Sequence, residues 1–338
     1  MDSALPWTSA WPVRLSLLCL GAGLLCAVLV RAMIRVSVLD TPGPRSAHDR
    51  PTPKGGGVGV IAAFLLGLPL AGWWHGDVHW CTLAALLAGV ALLALVSWLD
   101  DLRQFHPLVK LIAQAVAAGL VLAGIGPLPG GAVGVAVGFA WLLFVTNALN
   151  FIDGLNGLAA GSMALACLFV GLPDPATLVG YGGCLLAAGL LGFLPFNMPR
   201  ARIFLGDVGS QAAGLAVAAF GLLCVARPTL YGAAIMPLLL SGILYDVAFT
   251  LGRRLLAGDA VWQAHRGHLY QVAFRSGIPA PAVAALHWGF VTWGGVLGLA
   301  ITHKALSLLS GMLLMVLPQL AWTMVVVRRA RAAGIGRW

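Results

Sequence analysis

The chain has 338 residues, of which 60% are hydrophobic and only 9% are charged, and its mean hydropathy is +0.94. A water-soluble domain needs far more charge to cover its surface, so this composition excludes a soluble globular protein. The apolar runs of about 18–20 residues match a hydrocarbon core about 30 Å thick, and they are continuously apolar rather than alternating. We therefore expect an all-α fold: a polytopic bundle of transmembrane helices, in a single domain over residues 1–338.

Tight connections join the apolar runs on one side, and longer, charged connections join them on the other. Seventeen of the twenty Lys and Arg residues lie on the side of the longer connections; the exceptions are Arg14, Arg227 and Lys304. By the positive-inside rule that side is cytoplasmic, so the N-terminus is outside and the C-terminus is cytoplasmic. Asp2 precedes the first run and basic residues follow it, which is the reverse of a secretory signal. The spans, about eleven in number, are predicted at 12–30, 58–74, 81–98, 108–125, 132–149, 157–172, 178–196, 210–225, 230–249, 280–301 and 305–327.

All eleven acidic residues are Asp, and eight of them lie at the predicted cytoplasmic face. Acidic residues contribute little to membrane orientation, so this asymmetry needs a second cause. An active site on that face supplies one. The six cysteines all lie inside apolar runs and form no C-x-x-C pair, which favours core packing over a zinc site or a disulfide.

The first long connection reads LDTPGPRSAHDRPTPKGGG. Its three successive glycines can turn backbone N–H groups toward an anion, and Arg45, His48, Arg50 and Lys54 add positive charge. A rigid connector that obeys the positive-inside rule explains the same residues, and both interpretations stay open.

Asp100 and Asp101 end the third predicted span. Two adjacent carboxylates can bridge a cation and leave one oxygen free for a proton. Lys110 follows at the start of the next span, where its ammonium can meet a phosphate as a point charge. A solvated helix cap is the alternative for the Asp pair.

Polar side chains end the fifth predicted span, in the sequence TNALNFIDGLNG. If the helix continues, steps of three residues place Asn147, Asn150 and Asp153 on one polar stripe. Gly154 and Gly157 keep the backbone bare there, so that a bulky polar ligand can come close. Chains usually tolerate such groups at the mouth of a membrane helix where they meet an ion, a substrate or one another. An ordinary helix-ending loop is the alternative.

The next long connection, PFNMPRARIFLGDVGS, places Asp207 between glycines just before an apolar helix. This setting suits the close approach of a ligand, although an ordinary N-cap explains it too. Asn197, Arg200 and Arg202 are candidates for phosphate contacts.

In the following connection His265 and His268 stand three apart, so on a helix they share a face, with Arg266 beside them. A zinc site needs more ligands than this segment offers. A cationic cluster that faces a diphosphate fits better.

Four carboxylates therefore stand among basic residues at one face: Asp100, Asp101, Asp153 and Asp207. Carboxylates alone would bind a cation, and cations alone would bind a phosphate. Both together indicate Mg²⁺, or alternatively Mn²⁺, holding a diphosphate, because Mg²⁺ prefers one or two carboxylates plus substrate oxygens.

Four motifs occur in order between the expected spans: DD at 100–101, NALNFIDGLNG at 147–157, FLGDVGS at 204–210 and HRGH at 265–268. With these motifs the chain resembles the polyprenyl-phosphate N-acetylhexosamine-1-phosphate transferase family, of the glycosyltransferase 4 type. The RSAHDRPTPKGGG segment and the HRGH cluster resemble the branch that initiates O-antigen and other surface glycans, which serves lipopolysaccharide biosynthesis and cell-wall biogenesis.

The resemblance implies that a sugar-1-phosphate is transferred from a UDP-N-acetyl sugar to undecaprenyl phosphate, with release of UMP, at the cytoplasmic face of the bacterial inner membrane. The implied partners are these two substrates and the lipid bilayer, without nucleic acid; a homodimer is left open. Asp100, Asp101 and Asp153 are expected to be catalytic, and Asp207 with Asp101 to bind the metal. The expected substrate-binding residues are Lys54, Lys110, Asn147, Asn150, Asn156, Asn197, His265, Arg266 and His268.

Asn156 departs from the family pattern, since many members have Asp at this position. The change removes a charge and a potential base. The sequence also leaves the sugar open between N-acetylglucosamine, N-acetylgalactosamine and 6-deoxy N-acetyl sugars.

Two rival functions fit these residues less well. A transporter or flippase of polyprenyl-linked substrates would place its charges near the bilayer midplane, whereas here they gather at one face. A non-catalytic scaffold that binds lipid phosphates would need cations but not four gathered carboxylates.

Overall fold

The computed structural model describes residues 10–40, 50–226, 232–260 and 265–336. Asp2, Arg45, His48 and Arg227, which entered the sequence interpretation, lie outside these ranges. The described part contains two two-residue strands, a short 3₁₀ turn at Gly232–Ala234 and thirteen α-helices, which confirms the all-α prediction. The helices are α1 Trp11–Val36, α2 Gly57–His75, α3 Trp80–Arg103, α4 Pro107–Ile125, α5 Gly131–Phe151, α6 Leu158–Gly171, α7 Leu178–Asn197, α8 Gly206–Ala226, α9 Ile235–Leu239, α10 Ser241–Leu256, α11 Leu269–Arg275, α12 Ala280–Thr302 and α13 Leu308–Ala332.

Nine of the described helices are long and apolar enough to cross a membrane, so the protein is a multi-pass membrane protein. The predicted span 230–249 is instead a pair of helical segments, Gly232–Leu239 and Ser241–Leu256, which meet at 65° and make a tenth span if counted together. The predicted span 157–172 corresponds to α6, which has 14 residues. At 1.5 Å per residue α6 is roughly 21 Å long, which is shorter than a hydrocarbon core of about 30 Å.

Helix α8 forms the centre of the bundle, because 94% of its most apolar window is buried. Its small residues allow close packing: Gly214, for example, lies against Leu149 and Thr146 of α5. In the outer helices α1 and α13, only 28% and 22% of the most apolar window is buried. In a membrane protein, lipid covers apolar faces of this kind. Because α8 begins at Gly206, its first turn carries Asp207 to the end of the bundle where the longer connections meet.

A short antiparallel hairpin precedes α2. Its strands β1, Leu39–Asp40, and β2, Thr52–Pro53, pair in register. Residues 53–57, which we call the strap, then run along the segment before α8. Phe204 N donates to Pro53 O at 2.8 Å, Gly56 N donates to Phe204 O at 2.9 Å, and Gly57 N donates to Leu205 O at 2.8 Å. The strap therefore fixes the segment that leads into Asp207.

Candidate active site

A cavity of about 760 Å³ opens where the longer connections meet. Carboxylates line one part of its wall, including Asp101, Asp153 and Asp207. Arginines line another part, and they are Arg50, Arg200, Arg266 and Arg275. The predicted site residues on the wall are Lys54, Asp101, Asn150, Asp153, Asn156, Asn197, Asp207 and Arg266, whereas Asp100, Lys110, Asn147, His265 and His268 do not line it.

Asp207 is held by three side-chain donors. Its Oδ1 accepts a hydrogen bond from Asn150 Nδ2 at 3.1 Å. Its Oδ2 accepts from Lys110 Nζ at 3.1 Å and from Gln211 Nε2 at 3.0 Å. Its place in the first turn of α8 also suits a negative charge, since the partial positive charge of a helix lies at that end. The carboxylate is thus fixed in direction before any ligand arrives.

A layer of amides supports Asp207 from inside the bundle. Gln114 Nε2 donates to Gln211 Oε1 at 3.0 Å and to Asn147 Oδ1 at 3.2 Å. Asn147 Nδ2 donates back to Gln114 Oε1 at 2.8 Å. Asn147, predicted to contact substrate, therefore reaches the site only through Gln114 and Gln211. The sequence reasoning missed both glutamines, although each follows a candidate residue, Lys110 or Asp207, by one helical turn.

Lys110 bridges two carboxylates behind the cavity wall. Its Nζ lies 2.9 Å from Asp100 Oδ2 and 3.1 Å from Asp207 Oδ2. Asp100 Oδ1 accepts from Phe105 N at 2.7 Å, so Asp100 also closes the turn after α3. The predicted phosphate-binding ammonium is thus already paired in the protein itself.

Asp101 has one paired and one unpaired oxygen. Its Oδ1 accepts from Lys54 Nζ at 2.8 Å, which ties the strap to α3. Its Oδ2 is buried without a hydrogen-bond partner and lies near Gly206. A buried carboxylate oxygen in this state carries a free-energy cost that a bound cation would remove.

The described residues contain no group of three or more His, Cys, Asp or Glu side chains placed to hold a metal ion. Asp101 and Asp207 nevertheless both line the cavity, and Asp101 offers its unpaired oxygen. This donor set fits Mg²⁺, which is commonly bound by one or two carboxylates while substrate phosphates and water complete its coordination.

Asp153 lies in a turn and not on a continued helix, because α5 ends at Phe151. The helical stripe predicted through Asp153 is therefore wrong beyond Asn150. Burial raises the pKa of Asp153 well above its usual range, and the charge of Asp207 raises it further. The structure thus brings Asp153 to the cavity in a form that retains its proton more strongly than an exposed carboxyl.

The glycines of this turn make room for the protein's own side chains. A Cβ at Gly154 would collide with the hydroxyl of Tyr270, and a Cβ at Gly157, where φ is +73°, would collide with Met198. The prediction that a ligand can come close beside these glycines is therefore wrong for Gly157, whereas Gly154 does line the cavity. Asn197 joins the same turn to the segment before α8, since its Oδ1 accepts from Gly157 N and its Nδ2 donates to Ile203 O.

Of the remaining candidate residues in this region, Asn156 and Arg200 line the cavity and Arg202 does not. Asn156 lines the cavity, and its Nδ2 donates to Pro199 O at 3.4 Å. Arg202, a predicted phosphate contact, does not line the cavity, and its guanidinium lies 5.5 Å from the centre of the Phe196 ring. Arg200 is on the cavity wall as expected.

The strap uses its glycines for packing. The N–H groups of Gly56 and Gly57 donate to backbone carbonyls of residues 204 and 205, so they are not turned toward an anion. A Cβ at Gly56 would collide with Phe193, and one at Gly57 with the backbone of Gly209. The anion-binding interpretation is therefore wrong for these two glycines. Lys54, expected to bind substrate, lines the cavity while paired with Asp101.

The histidines precede α11 and do not share a helical face. Their rings stack with centres 5.0 Å apart, and His268 is buried with Nδ1 3.0 Å from Asp246 Oδ1. Burial first, and then the charges of His268, Arg254 and Arg253, lower the pKa of His265 to about 4. His265 is therefore neutral at pH 7.

Helix α11 adds wall residues that the sequence reasoning missed. Gln271, Phe274 and Arg275 all line the cavity. Their spacing of three and four residues places them on one helical face, and this spacing was the signal available in the sequence.

Comparisons with known proteins match the chain to one family. The sequence profile of glycosyl transferase family 4 matches residues 83–225. The decaprenyl-phosphate N-acetylglucosaminephosphotransferase of Mycobacterium tuberculosis is 30% identical over 277 residues, which cover 70% of this chain and 69% of the relative. The probable undecaprenyl-phosphate N-acetylglucosaminyl 1-phosphate transferase of Bacillus subtilis is 27% identical over 264 residues, which cover 72% of this chain and 71% of the relative.

A third relative transfers a different group. The phospho-N-acetylmuramoyl-pentapeptide-transferase of a Synechococcus strain is 34% identical over 238 residues, which cover 62% of this chain and 68% of the relative. The segment matched by the family profile contains the cavity carboxylates Asp101, Asp153 and Asp207. The strap and α11 lie outside it.

Proposed function

Because the chain belongs to glycosyl transferase family 4, we propose that it transfers an N-acetylhexosamine-1-phosphate from a UDP-N-acetyl sugar to a polyprenyl phosphate, with release of UMP. Undecaprenyl phosphate and decaprenyl phosphate appear in the names of its relatives, and we propose undecaprenyl phosphate here. The observation that carries the proposal is that four carboxylates and four arginines line one cavity.

In the proposed reaction, an oxygen of the lipid phosphate forms a bond with the β-phosphorus of the UDP-sugar. The bond between this phosphorus and the oxygen that bridges to the α-phosphorus breaks, and UMP leaves with that oxygen. The second pKa of a phosphate monoester is about 6, so the attacking group is largely ionised at pH 7 without a strong base. Positioning and charge stabilisation then supply most of the catalysis.

The residues divide these tasks. The four arginines contact and neutralise phosphate oxygens. Asp153, whose pKa is raised, retains a proton more readily than an exposed carboxyl and stands beside the leaving nucleotide. Asp100 keeps Lys110 against Asp207 and in this way orients the carboxylate that faces the substrate.

Asp101 and Asp207 would hold the divalent metal, Mg²⁺ or Mn²⁺, and when bound it would neutralise charge on the diphosphate. The unpaired Oδ2 of Asp101 supports this assignment.

We further propose that the reaction is the first step of a lipid-linked surface glycan, on the cytoplasmic face of the inner membrane. Two relatives are named as N-acetylglucosamine transferases, so UDP-N-acetylglucosamine is the first donor to test. The basic side chains around the cavity support the cytoplasmic placement, because cytoplasmic connections are rich in Lys and Arg.

The test uses the purified protein with undecaprenyl phosphate, Mg²⁺ and, in turn, UDP-N-acetylglucosamine, UDP-N-acetylgalactosamine and a 6-deoxy analogue. Thin-layer chromatography measures the lipid product, and a coupled assay measures UMP. We expect Asp207→Asn to lose at least about 100-fold in rate, as is typical when a group that stabilises transition-state charge is removed. Asp174→Asn is the matched control, since Asp174 lies in the turn between α6 and α7, away from the cavity.

If the wild-type protein makes no lipid product with any donor, the transferase proposal fails and a transporter or scaffold gains support. If Asp207→Asn transfers as fast as Asp174→Asn, Asp207 has no role in the reaction.

A further inference from the structure

Asp246 is a buried carboxylate that the proposed reaction does not use. It lies on α10, is 1% exposed and does not line the cavity. Its Oδ1 lies 3.0 Å from His268 Nδ1 and accepts from Leu269 N at 3.0 Å, while its Oδ2 accepts from Tyr270 N at 2.9 Å. The carboxylate therefore binds the first turn of α11, where free backbone N–H groups and a partial positive charge favour an anion.

Tyr270 continues this chain of contacts. Its side chain is fully buried, and its hydroxyl donates to Phe151 O at 2.9 Å. The same hydroxyl lies against Gly154, where a Cβ would collide with it. Phe151 and Gly154 flank the position of Asp153 in the turn after α5. The hydroxyl therefore holds both sides of the turn that presents Asp153.

The contacts made by Asp246 and Tyr270 connect two parts of the cavity wall, namely the segment that carries Arg266 and α11, and the turn that carries Asp153. Arg266 stands two residues before His268, and Gln271 and Arg275 follow on α11. Arg275 also donates to Arg266 O at 3.2 Å, so these two cavity arginines belong to one connected unit. Asp246 fixes the start of this unit, and Tyr270 joins it to the Asp153 turn.

On this basis, which rests on the proposed function, we propose that Asp246 and Tyr270 are positioning residues. Asp246 holds α11 in place, so that the cavity residues of this helix contact the nucleotide sugar. Tyr270 holds the turn that carries Asp153 in the position needed for turnover. Neither residue touches the substrate in this proposal. Removal of either contact therefore changes one kinetic parameter more than the other, a split that a loss of folded protein does not produce.

The first experiment compares Tyr270→Phe with Tyr245→Phe. Tyr245 offers a matched control because its hydroxyl also makes one hydrogen bond, to Thr323 Oγ1 at 2.9 Å, away from the cavity. We expect Tyr270→Phe to lower kcat about tenfold with little change in KM for the UDP-sugar, since a lost hydrogen bond is worth about that factor. Tyr245→Phe should leave both parameters unchanged.

The second experiment compares Asp246→Asn with Asp259→Asn. Asparagine keeps the volume of Asp246 but turns an amide N–H₂ toward a backbone N–H, so the start of α11 loses one acceptor. We expect the KM for the UDP-sugar to rise about tenfold while kcat changes less. Asp259 follows α10 and pairs with Arg254 of that helix at 3.8 Å; its change to asparagine provides the control and should leave KM unchanged.

Amide hydrogen exchange tests the link without any substrate. We expect residues 152–157 to exchange faster in Tyr270→Phe than in Tyr245→Phe, because the turn loses its hydroxyl contact. Equal exchange in the two variants, together with equal kcat, would overturn the inference. A wild-type protein that transfers no sugar would instead refute the proposed function, and the exchange result would still decide whether Tyr270 holds the turn.

Discussion

Asp153 shows how one side chain can be set for function at the expense of stability. Burial and the neighbouring Asp207 raise its pKa, so the folded protein favours its protonated form. Between the ordinary Asp pKa of about 3.9 and the raised value, the folded state binds more protons than the unfolded state. The free energy of unfolding therefore falls as pH rises through this window.

From this sign we predict that Asp153→Asn raises the melting temperature in detergent at pH 8, because the raised pKa of the wild-type carboxyl lowers the free energy of unfolding above the ordinary Asp pKa. The gain should vanish at about pH 4, close to the unfolded pKa. A variant that is less stable than wild type at pH 8 would contradict this account.

Single residues of the site were predictable where a charged side chain in an apolar chain costs free energy. Asp101, Asp153 and Asp207 stand out in the sequence for this reason, and the structure brings all three to one cavity. Tyr270 was not predictable as a partner, because a tyrosine in a helix becomes informative only once packing shows which group it meets.

At the scale of elements, the strap shows how a glycine-rich connection can be a packing device. Its backbone pairs with residues 204 and 205, and Lys54 ties it to Asp101. The sequence predicted an irregular, positively charged connection but not its pairing partner, since that partner lies about 150 residues away and long-range pairing leaves no local signal. The strap therefore contributes to the site by fixing the start of α8.

We predict that Gly57→Ala disrupts this pairing, because the added Cβ would collide with the backbone of Gly209. Overpacking of this kind typically costs about 1–3 kcal/mol of unfolding free energy. Gly119→Ala is the matched control, since Gly119 lies in α4 with open space around it, and it should be neutral or stabilising by up to about 1 kcal/mol. Thermal unfolding and transfer rate measure both. If Gly57→Ala is as stable and as active as Gly119→Ala, the strap can shift to accommodate the added Cβ, and the prediction is wrong.

The ends of elements were less predictable than their existence. Predicted spans correspond to all nine of the long apolar helices, because continuous hydrophobicity over such a length is typical of membrane-spanning helices. Composition could not reveal the 65° bend between residues 239 and 241 or that α6 is short, since both segments are predominantly apolar. The end of α5 at Phe151 was likewise concealed by the regular spacing of Asn147, Asn150 and Asp153.

At the scale of the whole molecule, the connections that form the cavity lie at one end of the bundle, and the turn between α6 and α7 lies at the other. We predict that the cavity end faces the cytoplasm, because basic residues concentrate there. In a Cys81→Ser background, Asp174→Cys should react with a membrane-impermeant thiol reagent in intact cells. Asp259→Cys should react only after the membrane is opened. The reverse pattern would invert the proposed orientation.

The bridge that Lys110 makes between Asp100 and Asp207 has a consequence for selectivity. A lone phosphate that bound the Lys110 ammonium would have to break ion pairs on two sides of it and leave two carboxylates exposed to each other. A diphosphate that arrives with its own divalent counter-ion supplies a substitute positive charge at the same moment. Orthophosphate should therefore compete poorly with the sugar nucleotide for this ammonium.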